Sequence, residues 1–417
     1  MKQIYVSLEL TDREVRILVG EYFNTRFNII KCLRRPVSGM NEFRISEHDS
    51  VLKDVKGALQ EASKSLGADI EKVILVVPSY NFARVPLKVN VIPDEGRVQK
   101  DDVVRAIGNS LKANIPNNLT VIDTVLVKYT VNGISSRRIP ENEVCDEMTV
   151  DIDLLCADKE ITYSYVSLLE ECGVEVLDVC MNSYAVCKEA ALFEQALSQN
   201  LLLLNIHRSH TYLTLLNKGK LVSNEIIFDG LQGMIDALSS KYHLSEDVLV
   251  RLLKYSVDYE AEYPEDVIYA WKKNERSYSL TTTALNEDVK GKLDSYVEKL
   301  LTMCTPILDR GNTSIVVTGE GAEMEALIQK LKKDAGVDVK AYYPDTIGVR
   351  DAALTALYGA FIVYHEKANL KNIYVNCIDL LEYDSVVDHR KIDVEGETLT
   401  SRIKNLFKQY KNREDAR

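Results

Sequence analysis

The stretch Leu201–Gly230, LLLLNIHRSHTYLTLLNKGKLVSNEIIFDG, decides the fold. Four leucines lead into Asn205-Ile206 and then a polar knot, His207-Arg208-Ser209-His210. Apolar residues return over Tyr212–Leu216, Asn217-Lys218-Gly219-Lys220 turns the chain, and a third run, Glu225–Phe228, ends at Asp229-Gly230. Short apolar runs separated by turn residues predict an antiparallel meander, since each run buries its face only with a neighbour beside it.

The same pattern opens the chain. Ile4–Leu10 reads as a strand, Thr11–Glu14 as a polar turn, Val15–Glu21 as the returning strand and Phe27–Leu33 as a third. Two hairpin-led meanders, one in each half, predict a duplicated core. The expectation is an α/β chain of two related lobes, with each hairpin turn aimed into the cleft between them.

The stretches between the meanders fill in this plan. Asp49–Leu66 carries apolar residues at helical spacing and stops at Gly67, and Lys72–Pro78 (KVILVVP) is the continuous apolar run of a strand covered on both faces. Arg84–Tyr163 differs: an alternating run over Arg84–Ile92, an amphipathic helix over Gln99–Leu111 and strands over Val121–Val131 and Glu147–Cys156 predict a compact α+β insertion. Ser164–Cys172 and Ser183–Leu192 read as helices around a strand at Glu175–Val179. Gly233–Tyr242, Ser245–Tyr255 and Asn286–Leu308 are helical, whereas Glu260–Asn274 has no clear period. Ser314–Val317 is a buried strand that opens into the turn Thr318-Gly319-Glu320-Gly321-Ala322 and a helix over Glu323–Ala335. Asp351–His365 is a helix with a small-residue face suited to close packing.

The resulting plan is a first lobe of residues 1–83 with 164–195 and 350–380, an inserted domain at 84–163, and a second lobe at 196–349 whose outer subdomain is 240–312. Residues 381–398 are polar and acid-rich, which predicts a flexible linker. Over 399–417, Leu399, Ile403, Leu406, Phe407 and Tyr410 form one apolar helical stripe flanked by Arg402, Lys404, Lys408, Lys411 and Arg413. A basic amphipathic helix on an acidic chain points to an anionic membrane surface. A stripe this short binds weakly, so stable attachment calls for several copies held together by self-assembly.

Composition narrows the function further. A net charge of −12 argues against non-specific nucleic-acid binding, which needs a basic surface, and no nucleic-acid partner is expected. The eight cysteines include no C-x-x-C pair and mostly lie in apolar runs, as expected of reduced core residues in a cytosolic protein. The first residues lack a charged-then-apolar leader pattern, and no apolar run is long enough to span a bilayer. His207 and His210 have metal-like spacing, but no further ligand lies near them in sequence, so no metal site is expected. No nucleophile elbow or Walker-type lysine loop is present, and no catalytic residue is assigned.

Taken in order, these segments resemble FtsA, the actin-like family that tethers bacterial cell-division filaments to the membrane. VSLELTDREVRILVGE (Val6–Glu21) resembles the family's first phosphate loop, Leu201–Gly230 its second, and VVTGEGAEMEAL (Val316–Leu327) its adenosine motif. ALYGAFIVY (Ala356–Tyr364), SLLEECGVEVLDV after the insertion, and the terminal amphipathic helix are similar too. The resemblance covers nearly the whole chain. It implies an actin-like two-lobe fold with an extra inserted domain, self-assembly into filaments, location at the division site on the cytoplasmic face of the membrane, contacts with other divisome proteins, and an outer second-lobe subdomain that binds the C-terminal peptide of FtsZ.

Against the family pattern, both loops depart. The first should run acid, apolar residue, Gly, then Thr or Ser, and here reads Glu9-Leu10-Thr11-Asp12. The second should read Asp, apolar residue, Gly-Gly-Gly-Thr, one residue, Asp; here Asn205, Ile206, His207, Arg208, Ser209, His210, Thr211 and Tyr212 stand there. Glycines let backbone N–H groups approach a phosphate, and the acids hold magnesium waters and position the attacking one. With both replaced, ATP hydrolysis is expected to be lost. ATP binding with magnesium is a separate question, for which Glu9, Thr11, Asp12, Asn205, Arg208, Ser209, Thr318, Gly319, Glu320 and Gly321 are the candidate residues. The competing readings are a working actin-like ATPase of the same family and a pilus-assembly protein of the PilM kind.

Overall fold

The computed structural model describes residues 3–23, 26–258, 265–273, 275–344, 350–368 and 377–387. These fall into two compact units, the first holding the described residues up to Glu189 and from Ala356 onward, the second those from Ala190 to Thr355. The second unit therefore begins before residue 196, and it takes Arg350–Thr355, which the sequence plan gave to the first lobe.

In the first unit, β1 (Gln3–Leu10), β2 (Glu14–Phe23) and β3 (Arg26–Pro36) form the expected meander. A small hairpin of β4 (Met40–Asn41) and β5 (Arg44–Ile45) leads into α1 (His48–Leu66), which buries Val51, Val55, Ala58, Leu59 and Ala62 and ends on left-handed Gly67. The apolar run becomes β6 (Lys72–Val77), parallel to β1. The insertion consists of β7 (Ala83–Val91), α2 (Lys100–Ser110), β8 (Leu119–Val131), β9 (Ile134–Ser136) and β10 (Met148–Asp158). Its strands make a separate sheet in the order β7-β10-β8-β9, with a core of its own that includes Val103, Ile107, Met148 and Ile152. The chain returns through α3 (Lys159–Glu171), β11 (Glu175–Met181) and α4 (Asn182–Glu189). The first sheet thus runs β11-β6-β1-β2-β3.

The second unit repeats that plan. After α5 (Leu192–Gln195) come β12 (Asn200–Ile206), β13 (Thr211–Asn217) and β14 (Lys220–Ile227), then α6 (Gln232–Tyr242) and α7 (Glu246–Tyr255). A hairpin of β15 (Val267–Lys273) and β16 (Arg276–Thr281) precedes α8 (Thr282–Leu308). β17 (Thr313–Gly319) passes through a single 3-10 turn, Glu320–Glu323, into α9 (Glu325–Ala335) and β18 (Asp338–Ala341). The sheet order is β14-β13-β12-β17-β18, the same antiparallel meander extended by parallel strands as in the first unit. The duplication expected from two meanders is present in the topology. Leu202, Leu204, Ile315 and Val317 from the sheet pack with α6, α7, α8 and α9 in one core.

The last described elements are α10 (Thr355–Ala368), whose small face of Ala356, Gly359 and Ala360 is buried, and α11 (Leu380–Val386). Three expectations are corrected. The stretch without a clear period holds strand β15, whose aromatic residues Tyr269 and Trp271 pack on the core. The helix expected over Ser183–Leu192 breaks at Ala191, which takes a left-handed conformation before α5. The linker expected from residue 381 begins instead with α11, because Tyr383 is fully buried and holds that segment to the body.

Candidate functional site

In the first unit the β1–β2 register sets Glu9 directly opposite Arg16. Arg16 Nη1 donates to Glu9 Oε2 at 3.1 Å with both side chains buried, and Asn182 Nδ2 donates to Glu9 Oε1 at 2.5 Å. Arg16 Nε also donates to Glu14 Oε1 at 2.5 Å, and Arg34 grips Glu14 through Nη2–Oε1 at 2.7 Å and Nε–Oε2 at 2.9 Å. A chain of alternating charges thus runs under the hairpin. Burial pushes the Glu9 carboxyl upward against the pull of Arg16 and Asn182. Burial would also raise Glu14, but Arg16 and Arg34 together hold it at about 2. Thr11 closes the turn: its hydroxyl donates to the Glu14 carbonyl at 3.0 Å and accepts the Glu14 N–H at 3.1 Å. Asp12 Oδ1 accepts the Phe43 N–H at 2.7 Å, while burial pushes its carboxyl upward. All three candidate residues of this loop are engaged in its own fold.

In the second unit the β12–β13 turn is tight, with the His207 N–H bonded to the His210 carbonyl at 2.9 Å. Both histidines are buried; their ring centres lie 4.9 Å apart, and that of His210 lies 4.9 Å from that of Tyr212. Ser209 Oγ lies 3.1 Å from His210 Nδ1. Arg208 turns back onto the protein. Its Nε stands 3.3 Å from Glu320 Oε1 and its Nη1 donates to Glu246 Oε2 at 3.2 Å, which ties the turn to the residue after β17 and to the start of α7.

The glycine turn has a packing reason of its own. Gly319 holds φ +75°, and a Cβ there would stand 2.5 Å from the Ile206 carbonyl oxygen and 2.6 Å from Asn205 Oδ1. A Cβ on Gly321 would stand 2.6 Å from Ile206 Cβ. The turn is therefore pressed onto the end of β12, where only glycine fits. Thr318, paired with Asn205 in the β12–β17 register, donates its hydroxyl to the Tyr342 carbonyl at 3.3 Å, and its oxygen lies 3.3 Å from the Thr355 hydroxyl. The amides that lead into α6 are also used: the Leu231 N–H bonds to the His207 carbonyl at 3.2 Å and the Gln232 N–H to the Arg208 carbonyl at 2.9 Å. Helix-start amides that would attract an anion are here satisfied by the loop itself. Beside them lies a small pocket with Leu231, Ile235, Leu253 and Met324 in its lining and Arg208 and Glu320 in its wall.

The candidate residues thus fall into two groups: Glu9, Thr11 and Asp12 on the first hairpin, and Asn205, Arg208, Ser209, Thr318, Gly319, Glu320 and Gly321 around the second. Arg16, Asn182 and Glu246 were not among the residues expected from sequence. The turn Thr11–Glu14 fixes the hairpin register and so implied the Glu9–Arg16 pairing, but Asn182 and Glu246 reach the loops only through tertiary folding. The membrane-binding candidates Leu399, Arg402, Ile403, Lys404, Leu406, Phe407, Lys408, Tyr410 and Lys411 lie outside the described residues.

No protein-family profile matches the chain. Whole-chain comparison does find relatives. The cell division protein FtsA of Bacillus subtilis (strain 168) is 23% identical over 357 residues, covering 84% of this chain and 80% of that protein. FtsA of Enterococcus hirae is 21% identical over 399 residues, covering 93% and 88%. The chain is a divergent relative of FtsA. Among solved structures, the PilM–PilN type IV pilus biogenesis complex superposes with a TM-score of 0.56 at 14% identity, covering 86% of this chain and 98% of that one. The fold is that of the actin-like ATPases. Set beside the FtsA loop pattern, the glycines of the second loop are replaced by the buried His207, the ion-paired Arg208 and Ser209, and its two acids by Asn205 and Tyr212.

Proposed function

We propose that this protein is an actin-like cell-division scaffold of the FtsA kind, which works as a tether and not as an ATPase. In this reading copies of the chain assemble into filaments, the outer part of the second lobe takes the C-terminal peptide of FtsZ, and the basic amphipathic stretch from Leu399 to Lys411 holds the assembly on an anionic membrane at the division site. The observation that carries the reading is the likeness to FtsA over 84–93% of the chain. The loss of turnover is argued from the loops. Glu9 is committed to Arg16 and Asn182, Arg208 to Glu320 and Glu246, and no acid stands at position 205 or 212 to hold magnesium waters.

A PilM-like role in pilus assembly rests on likeness of fold alone, whereas the sequence likeness runs to FtsA. Pull-down of the full chain by an immobilised FtsZ C-terminal peptide, with a scrambled peptide as control, tests the scaffold reading. Specific retention supports it, and equal recovery on both peptides contradicts it.

A further inference from the structure

The C-terminal part of the first unit makes a series of contacts that the tether reading does not use, and they converge on one strand of the inserted domain. Lys367, near the end of α10, places Nζ 2.6 Å from Asp123 Oδ1 on β8 and 2.9 Å from Asp178 Oδ2 on β11. Both aspartates are buried, and Asp123 Oδ2 also accepts the Met181 N–H at 3.3 Å. Cys377 lies in the inserted domain's own core, against Thr124 of β8. Then comes α11, capped by Asp379, whose carboxylate accepts the Leu381 and Glu382 N–H groups.

α11 lies along α3. Tyr383 is 0% exposed, donates its hydroxyl to Glu170 Oε2 at 2.8 Å, and meets Tyr163 edge-to-face with ring centres 5.3 Å apart. Glu382 forms an ion pair with Lys159 and accepts the Tyr163 hydroxyl at 2.9 Å. Tyr163 in turn lies 3.3 Å from Thr120 Oγ1 on β8. Thr120, Asp123 and Thr124 of one strand are therefore reached, directly or through Tyr163, by Lys367, Cys377 and Glu382.

A helix of 7 residues is not stable in isolation, so α11 is helical only while it is docked. Its contacts with α3 run through two neighbouring side chains, Glu382 and the buried Tyr383, while Leu381 and Val386 stand 79% and 57% exposed. An element so small and so locally held belongs to the part of a fold that opens first.

We propose that α11 is a releasable latch that couples the chain beyond residue 387 to the seating of the inserted domain: docked, it braces β8 through α3, and undocked, it loosens that domain. Binding of the tail elsewhere would then be felt in the insertion without any ligand there.

Hydrogen exchange followed by mass spectrometry on four forms of the chain tests this: the full chain, a truncation after residue 387, a truncation after residue 378, and Glu382→Gln, which keeps the side-chain volume and so the fold. Cutting after 387 should leave exchange in 119–131 and 159–171 as in the full chain. Cutting after 378 should speed both by about tenfold, Glu382→Gln by less, with 200–227 of the second unit unchanged in all. Unchanged exchange in 119–131 for both the 378 truncation and Glu382→Gln overturns the latch. So does loosening of equal size by the 387 truncation alone.

Discussion

Arg208 Nε stands 3.3 Å from Glu320 Oε1, joining the turn of one hairpin to the turn that follows the neighbouring parallel strand. Glu320 is 3% exposed, so the carboxylate depends on charged and hydrogen-bonding partners that folding brings to it. The contact also defines what Arg208 does. A cation beside the glycine turn that still had its charge to offer would attract a phosphate; this one is committed on two sides, to Glu320 and to Glu246.

Arg208→Ala should destabilise the second unit by about 2 kcal/mol, since it removes a cation from beside a buried carboxylate. In a double-mutant cycle Glu320→Gln should recover about half of that loss. Urea unfolding monitored by circular dichroism gives the values, and additive effects of the two changes would mean that the pair does not couple.

The Glu14 carboxyl gives a pH signature. Its folded value of about 2 lies below the ordinary 4.5, so the folded state prefers the charged form. The stability it contributes is fully present above pH 4.5 and is lost as pH falls from there toward about 2. The size is about 3 kcal/mol for a side chain 18% exposed. Glu14→Gln should flatten the acid limb of stability in that window, and an unaltered acid limb would place the charge sensitivity elsewhere.

Removing the residues after Glu397 deletes the amphipathic stripe and its lysines. The shortened chain should stay in the supernatant when centrifuged with vesicles rich in anionic lipid, while the full chain pellets, and the difference should shrink at high salt. Pelleting of both forms alike would sink the assigned role of Leu399–Lys411.

Much of this fold was legible because its signals are local. The two meanders, the continuous apolar run at β6 and the stop at Gly67 are fixed by residues adjacent in sequence, and each appears where the periodicity put it. The N-terminal start of α8 was missed because Thr281, which caps it by accepting the Ala284 N–H, lies before the apolar repeat becomes clear. Residues 381–386 read as linker because five polar or exposed neighbours surround one decisive tyrosine; nothing local says that Tyr383 meets Glu170, 213 positions earlier. The loops divided in the same way. The missing glycines and acids were plain in the sequence, whereas Glu246, 38 positions from Arg208, and Asn182, 173 from Glu9, were not.

The claim that both loops have closed on the protein's own side chains is tested most directly by titrating the full chain with ATP and magnesium in a calorimeter. The account predicts no saturable heat at any nucleotide concentration up to the millimolar range (about 1 mM, a binding free energy near −4 kcal/mol). A saturable isotherm with micromolar affinity, abolished by EDTA, would contradict it.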